Sequence, residues 1–315
     1  MTALPKSAPL PLIIDCDPGI DDAVMLMIAL MSPKLDVQAI TAVAGNVPLR
    51  LTSRNARMIC ERMGRPDVPV HAGCPRPMLR KPVTAEDFHG MSGIEGIEIF
   101  EPKAPLAPGH GVSELIARLS AARPASQTVI LSGPMTNLAA ALVMAPEIAN
   151  SIGHLVVMAG GDRISGNVTP FAEFNVFADP HAAAIVFDAN IRTTVLSLDV
   201  THTVRAEAPR LDSLGKLPGT DARMMADLLA AGNKLEARWK NGQMAPMHDP
   251  STVVYLIAPE IFQTRPCRVS VVTRPGDQFG RTKVKDTRSG PHSWVTAADA
   301  DAFFAVIETL LKARA

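Results

Sequence analysis

Short apolar runs rich in β-branched residues recur along the chain, each running into a Gly, Pro or Asp turn and then into a longer Ala/Leu/Met-rich stretch. That alternation predicts repeated strand-turn-helix units. Leu10 to Ile14 reads as a buried strand and Ala23 to Met31 as the helix after it. Leu35 to Ala44 reads as a second strand ending in Gly45-Asn46-Val47, with Pro48 opening a helix to about Met63. Val68 to His71 fits a short strand. Gly111 to Ala122 is helical in pattern, and Thr128 to Leu131 is a strand entering Ser132-Gly-Pro-Met-Thr-Asn137 and a helix to about Met144. A further strand, Leu155 to Ala159, ends in Gly160-Gly161. Asp179-Pro180 caps a helix through Phe187, Thr193 to Leu198 is another strand, and Asp221 to Trp239 is a long helix. Asp249-Pro250 starts a helix with Val253 to Ala258 as its apolar body. Val269 to Thr273 and Lys283 to Lys285 suggest a late antiparallel excursion, and Ala297 to Ala313 a closing helix. Across most of Gly73 to Pro108 no periodic element is visible, which marks a long loop that is either functional or partly mobile.

These elements predict an α/β fold: one domain over residues 1–315, a mostly parallel central sheet flanked by helices, and a ligand site at the carboxyl ends of the strands. The turns at Asp15 to Asp22, Gly45-Asn46, Ser132-Gly133 and Gly160-Gly161 would share that rim.

Composition changes this picture little. The 315 residues are 47% hydrophobic, and 31 Lys+Arg balance 31 Asp+Glu. Zero formal charge argues against a broad nucleic-acid-binding surface. No apolar run reaches a membrane span, and Met1 to Lys6 lacks a charged region followed by an apolar core, so a cytoplasmic location is expected. Cys16, Cys60, Cys74 and Cys267 are widely spaced, without a Cys-x-x-Cys pair, and read as reduced, mostly buried residues. Strand alternation should point Cys16 away from Asp15 and Asp17.

Candidate chemistry concentrates in Asp15-Cys-Asp17-Pro-Gly-Ile-Asp21-Asp22. Pro18-Gly19 supplies a sharp bend, and the helix N-terminus tolerates an acid or two. Four are present. Two carboxylates about 4 Å apart repel by roughly 4 kcal/mol at an effective dielectric of 20, so a positive partner belongs among them. A hard cation with oxygen ligands, Ca²⁺ or Mg²⁺, fits that demand. Asn167, Glu173 and Asn175 alternate with large apolar residues in a segment that is either a solvated surface loop or part of a site. His89, in the long loop, is either solvated or able to close over a site.

Asp15-Cys-Asp-Pro-Gly-Ile-Asp-Asp22, Gly45-Asn46-Val47, Ser132-Gly-Pro-Met-Thr-Asn137, Gly166-Asn-Val-Thr-Pro170, Ala172-Glu-Phe-Asn175 and His248-Asp249-Pro250 together resemble the inosine-uridine-preferring nucleoside hydrolases. The motifs stand in that family's order from about residue 10 to 260. The resemblance implies a Ca²⁺-dependent enzyme that hydrolyses the N-glycosidic bond of ribonucleosides to ribose and base, commonly as a homodimer or homotetramer. It implies that Asp17, Asp22, Asp249 and the main-chain carbonyl of Ser132 hold the ion. Asp17 would also be the general base, Asn46 would lie near the attacking water, and His248 would protonate the departing base. Asp21, Asn167, Glu173 and Asn175 would hold the ribose hydroxyls, His89 would reach the substrate from its flap, and Asp15 would support the turn from behind.

The base-binding part departs from the family pattern. Members with pyrimidine or broad preference often carry a tyrosine on the helix before His-Asp-Pro, whereas here Arg238 to Pro246 has none and the only tyrosine is Tyr255. Trp239 is a candidate to stack on a base or, alternatively, a core residue. His89-Gly-Met also lacks the acidic residue that commonly follows His-Gly. Two rival readings are a calcium-containing ribose or nucleoside binder without catalysis and an Asp-based phosphatase. Against the second, Pro18-Gly19 stands where a hydroxyl residue is wanted, and no basic phosphate clamp is evident.

Overall fold

A computed structural model describes residues 8–85, 90–239 and 242–315. The chain begins β1 (Leu10–Cys16), α1 (Ile20–Met31), β2 (Leu35–Ala42), α2 (Leu49–Arg62) and β3 (Val70–Ala72). It continues through α3 (Gly111–Ala121), β4 (Gln127–Leu131), α4 (Thr136–Met144), β5 (Ile152–Met158), α5 (Phe174–Ala178), α6 (Pro180–Asp188), β6 (Thr193–Leu196) and α7 (Leu198–Thr201). The last part holds α8 (Ala208–Gly215), α9 (Thr220–Trp239), α10 (Pro250–Ile257), β7 (Phe262–Val271), β8 (Thr282–Asp286), β9 (His292–Ala298) and α11 (Ala300–Lys312).

Among the described residues, nine strands form one sheet in the order β3-β2-β1-β4-β5-β6-β9-β7-β8. Pairing is parallel from β3 through β9, and only β7 runs antiparallel to its neighbours β9 and β8. Strand alternation divides the core. Leu12, Ile14 and Cys16 of β1 join α1, α2, α9, α10 and α11 on one face, whereas Ile13 joins Val129, Leu131, Leu155 and Val157 under α3, α4 and α6 on the other. A parallel sheet covered on both faces explains why its strands read as near-continuous apolar runs. Buried on almost every side, α1 explains its unbroken Ala23 to Met31 sequence.

The strand order reverses between β1 and β4: the chain steps outward from β1 through β2 to β3, then returns to lay β4 on β1's other side. Such a switch point opens a crevice at the carboxyl ends of the two strands. The acidic turn leaves β1 there, and Ser132 leaves β4 beside it.

Several boundaries differ from expectation. β2 stops at Ala42 and β6 at Leu196, where Ser197 and the short α7 take over. Ala297 and Ala298 end β9, so the closing helix begins only at Ala300. β9 is not expected from the sequence: its strand-favouring centre, Trp294-Val295-Thr296, is only three residues long. The element also contains Ser, His and two alanines, and its strand state comes from burying Trp294 and Val295 between β6 and β7. No helix among the described residues is long and apolar enough to cross a membrane.

Candidate active site

Pro18-Gly19 turns the chain from β1 into α1, placing Asp22 within the first helical turn, where Gly19 N–H donates to its Oδ2 at 3.0 Å. The Ser132 hydroxyl donates to Asp22 Oδ1 at 2.7 Å, and Asn46 Nδ2 donates to Oδ2 at 3.2 Å. One carboxylate thereby joins the turns after β1, β2 and β4. Asn46 holds the turn further, through its backbone N–H to Asp17 Oδ2 at 2.7 Å and Nδ2 to the Asp17 carbonyl at 3.1 Å.

Asp17 is fully buried, and its Oδ1 has no hydrogen-bond partner. Two glycines press against this carboxylate. A Cβ on Gly133 would stand 2.5 Å from Oδ1, and one on Gly45 would clash with Oδ2. Gly133→Ala should therefore displace the Asp17 carboxylate and, with Asp17 as the base that the resemblance implies, lower kcat by about 100-fold while the protein still folds. Turnover of purified variant, with circular dichroism as the fold check, decides this; near-unmodified kcat would show that Asp17 does not need its place.

Asp249 reaches the site from the start of α10, and its side chain hydrogen-bonds to Asp21. Carboxylate oxygens of Asp21, Asp22 and Asp249 lie within 4.8 Å of one another. Burial, followed by the charge of Asp22, raises the Asp17 pKa well above the usual carboxylate range. Asp249 is raised well above it by burial and then by the charges of Asp21, Asp22 and Asp17, and burial likewise raises Asp21. A cluster of acids that burial and mutual repulsion drive toward neutrality, with orphaned oxygens on Asp17 and Asp21, has the donor chemistry of a hard-cation site.

Asp15 is one step back. Its Oδ2 accepts from Thr41 Oγ1 and from Asn137 Nδ2, the latter at 2.7 Å. Asn137 also donates to the Ala42 carbonyl at 3.2 Å and accepts from Cys74 N–H at 2.7 Å. Burial pushes Asp15 up to about 7, against the lowering effect of those two donors. The group ties together the ends of β1, β2, β3 and the start of α4. Thr41 carries no signal in the sequence, and Asn137, though it ends the Ser132 to Asn137 motif, gives no sign of its bond to Asp15, because the partners are distant in sequence.

Above the acids opens a cavity of about 350 Å³ lined by Asp21, Asn46, Ser132, Asn167, Glu173, Asn175, His248 and Asp249. Its size suits a small organic molecule. Glu173 and Asn175 are buried, which rules out the solvated-loop alternative for them, whereas Asn167 lies toward the rim. Glu173 caps α5: its Oε1 accepts from Asn175 N at 2.8 Å, and its Oε2 accepts from Gly160 N at 3.0 Å and Val176 N at 3.2 Å. Burial pushes Glu173 up to about 7 despite those donors. Asn175 Nδ2 donates to the Ser132 carbonyl at 2.6 Å, leaving that oxygen a second lone pair. Asn167 Oδ1 accepts from Phe174 N at 2.9 Å.

His248 Nδ1 lies 2.7 Å from Thr201 Oγ1, at the end of α7. Thr201 went unnoticed in the sequence; the polar run Ser197, Asp199, Thr201 after a strand was the available signal. The far wall carries Leu229, Gly232 and Glu236 of α9, a helical-spacing stripe that includes a buried acid. Tyr255 takes no part. It packs edge-on against His154 and Phe262 in the core. His89 and the Trp239 side chain lie outside the described residues.

Residues 12–305 match the family model described as "Inosine-uridine preferring nucleoside hydrolase". A pyrimidine-specific ribonucleoside hydrolase RihA from Photobacterium profundum is 38% identical over 275 residues, covering 87% of this chain and 88% of that protein. Among solved structures, a plant nucleoside hydrolase, PpNRh1, superposes with a TM-score of 0.90 at 28% identity, covering 97% of this chain and 99% of the other. A purine-preferring ribonucleoside hydrolase from Gardnerella vaginalis gives 0.89 at 29% identity, covering 96% and 99%.

Proposed function

The chain belongs to the inosine-uridine preferring nucleoside hydrolase family, and from that membership we propose that it cleaves the N-glycosidic bond of ribonucleosides, releasing ribose and free base. The observation that carries this reading is the buried Asp17 carboxylate, with one orphaned oxygen, hydrogen-bonded to Asn46 in the wall of a cavity that also presents Glu173 and Asn175.

Breaking a ribosyl-base bond builds positive charge on the sugar, so the site must offer negative charge near the ring, a deprotonated water and a proton for the base. Asp17 accepts the water's proton. Asn46, which already fixes Asp17 through two hydrogen bonds, stands beside that water. Asp21, Asn167, Glu173 and Asn175 hold the ribose hydroxyls. His248, oriented through Nδ1 by Thr201, delivers a proton from its other ring nitrogen to the leaving base.

Asp22 and Asp249, whose carboxylate oxygens lie within 4.8 Å of each other and of Asp21, would hold Ca²⁺ together with Asp17 and the Ser132 carbonyl. Bound there, the ion supplies positive charge that lowers the pKa of water and polarises ribose hydroxyls.

Reaction in ¹⁸O-labelled water tests the reaction type: the label should appear in the ribose, and unlabelled sugar would contradict hydrolysis. A second expectation concerns the sugar. A buried carboxylate built to receive a hydroxyl is left unpaired by its loss, so 2'-deoxynucleosides should show kcat/KM at least about 100-fold below the matching ribonucleosides. Equal rates on both would remove the hydroxyl-binding role of these acids.

A further inference from the structure

The β7–β8 hairpin adds no residue to the cavity, yet it packs directly behind the loop that carries Glu173. Thr282, the first residue of β8, is 3% exposed. Its hydroxyl donates to the Gly161 carbonyl at 2.7 Å and accepts from Gly161 N–H at 3.1 Å. One side chain thus satisfies both peptide groups of a residue that has left the sheet. Gly160 is in the left-handed region (φ +71), and a Cβ there would stand 2.6 Å from Thr282 Cγ2. The same Gly160 donates its N–H to Glu173 Oε2.

Two further contacts brace the loop from this hairpin. Arg265 of β7 pairs with Asp162 at 2.5 Å. A Cβ on Gly280 would lie 3.1 Å from Phe177 Cα and 3.3 Å from Ala172 Cβ, so the hairpin's turn side fits closely against α5. An unbroken chain of contacts therefore runs from Thr282 through Gly161 and Gly160 to the carboxylate of Glu173 in the cavity wall.

We propose that Thr282 is a positioning residue for ribonucleoside hydrolysis: by clamping the Gly160-Gly161 peptides it sets where Glu173 meets the ribose. This rests on the hydrolase reading for the role of Glu173. Thr282→Val keeps the shape but leaves both Gly161 peptide groups without their hydroxyl partner, and Thr282→Ser keeps the hydroxyl.

The test is a double-mutant cycle with Glu173→Gln, using kcat/KM on a ribonucleoside. Thr282→Val should lower kcat/KM about tenfold, the equivalent of one lost net hydrogen bond. Thr282→Ser should recover to within about threefold. On the Glu173→Gln background, Thr282→Val should cost less than about twofold, because the group it positions has already been changed. An equal loss on both backgrounds, or kcat/KM of Thr282→Val within about twofold of the unmodified protein, would overturn the proposal. Hydrogen exchange over residues 160–177 provides the second readout: it should rise in Thr282→Val and not in Thr282→Ser. Should the unmodified protein cleave no ribonucleoside, the hydrolase reading fails on its own, and unchanged exchange in Thr282→Val would still overturn the clamp.

Discussion

Asp17→Asn should reduce kcat by about 1,000-fold or more while leaving the ion-free protein as stable as before. The amide keeps the shape and can still accept from Asn46 N–H through the oxygen in the Oδ2 position. Its other end replaces Oδ1, which has no hydrogen-bond partner to lose. What disappears is the negative charge, and with it the capacity to take a proton from water. Folding should not suffer. Burial and the Asp22 charge already drive this group toward its neutral form, so a permanently neutral side chain relieves repulsion in the ion-free protein. The pair of results, turnover lost and thermal midpoint kept or raised under chelation, is specific to an acid held for chemistry. Asp17→Asn turnover within tenfold of the unmodified protein would remove Asp17 as the base.

Exhaustive chelation should abolish hydrolysis and added Ca²⁺ should restore it, with a stability signature that activity alone cannot give. Asp17 and Asp249 are raised well above the ordinary carboxylate range, and Asp15 sits near 7 against a usual 3.8. For such raised groups the sign is clear. The unfolded chain releases these protons first, so the stability that protonation preserves is intact below about 3.8 and is lost as pH climbs through the folded-state values. A bound cation offsets that loss by pairing with the charged forms. The gap in thermal midpoint between Ca²⁺-loaded and chelated protein should therefore widen from pH 5 to pH 8, and Ca²⁺ binding should release protons, seen as a buffer-dependent calorimetric enthalpy. A pH-independent gap with no proton release would mean that the acidic cluster is not where the ion binds.

The sequence showed local features better than long-range ones. Asp15 to Asp22 was legible because its crowding lies within one turn, and repulsion among near neighbours needs no tertiary knowledge. The parallel sheet was legible because burial on both faces leaves apolar strands. β9 was hidden, since its strand-favouring Trp294, Val295 and Thr296 are flanked by His292, Ser293 and two alanines, which the gap between β6 and β7 makes extended. The same holds for the supporting contacts: Asp15 with Thr41 and Asn137 joins β1, β2 and α4, and Thr201 with His248 spans 47 residues. Glu173 was singled out by its resemblance to a family motif, yet its hydrogen bond to Gly160, across the mouth of β5, emerged only from the fold.

Base preference is where the similar proteins differ, one being pyrimidine-specific by name and another purine-preferring. This chain lacks a tyrosine before His248, and the far wall offers Leu229, Gly232 and Glu236 instead. By contrast, Asp21, Asp22 and Asp249 lie close together and Asp21, Asn167, Glu173, Asn175 and Asp249 line one cavity, while Asp17 stands behind it, hydrogen-bonded to Asn46. The most direct test of the central claim is ribose release, measured as reducing sugar, by purified Ca²⁺-loaded protein given inosine, uridine and cytidine in turn. Turnover of at least one, with kcat/KM of about 10⁴ M⁻¹s⁻¹ or more, is the predicted result; no ribose from any of the three, by folded protein with the ion bound, would contradict it.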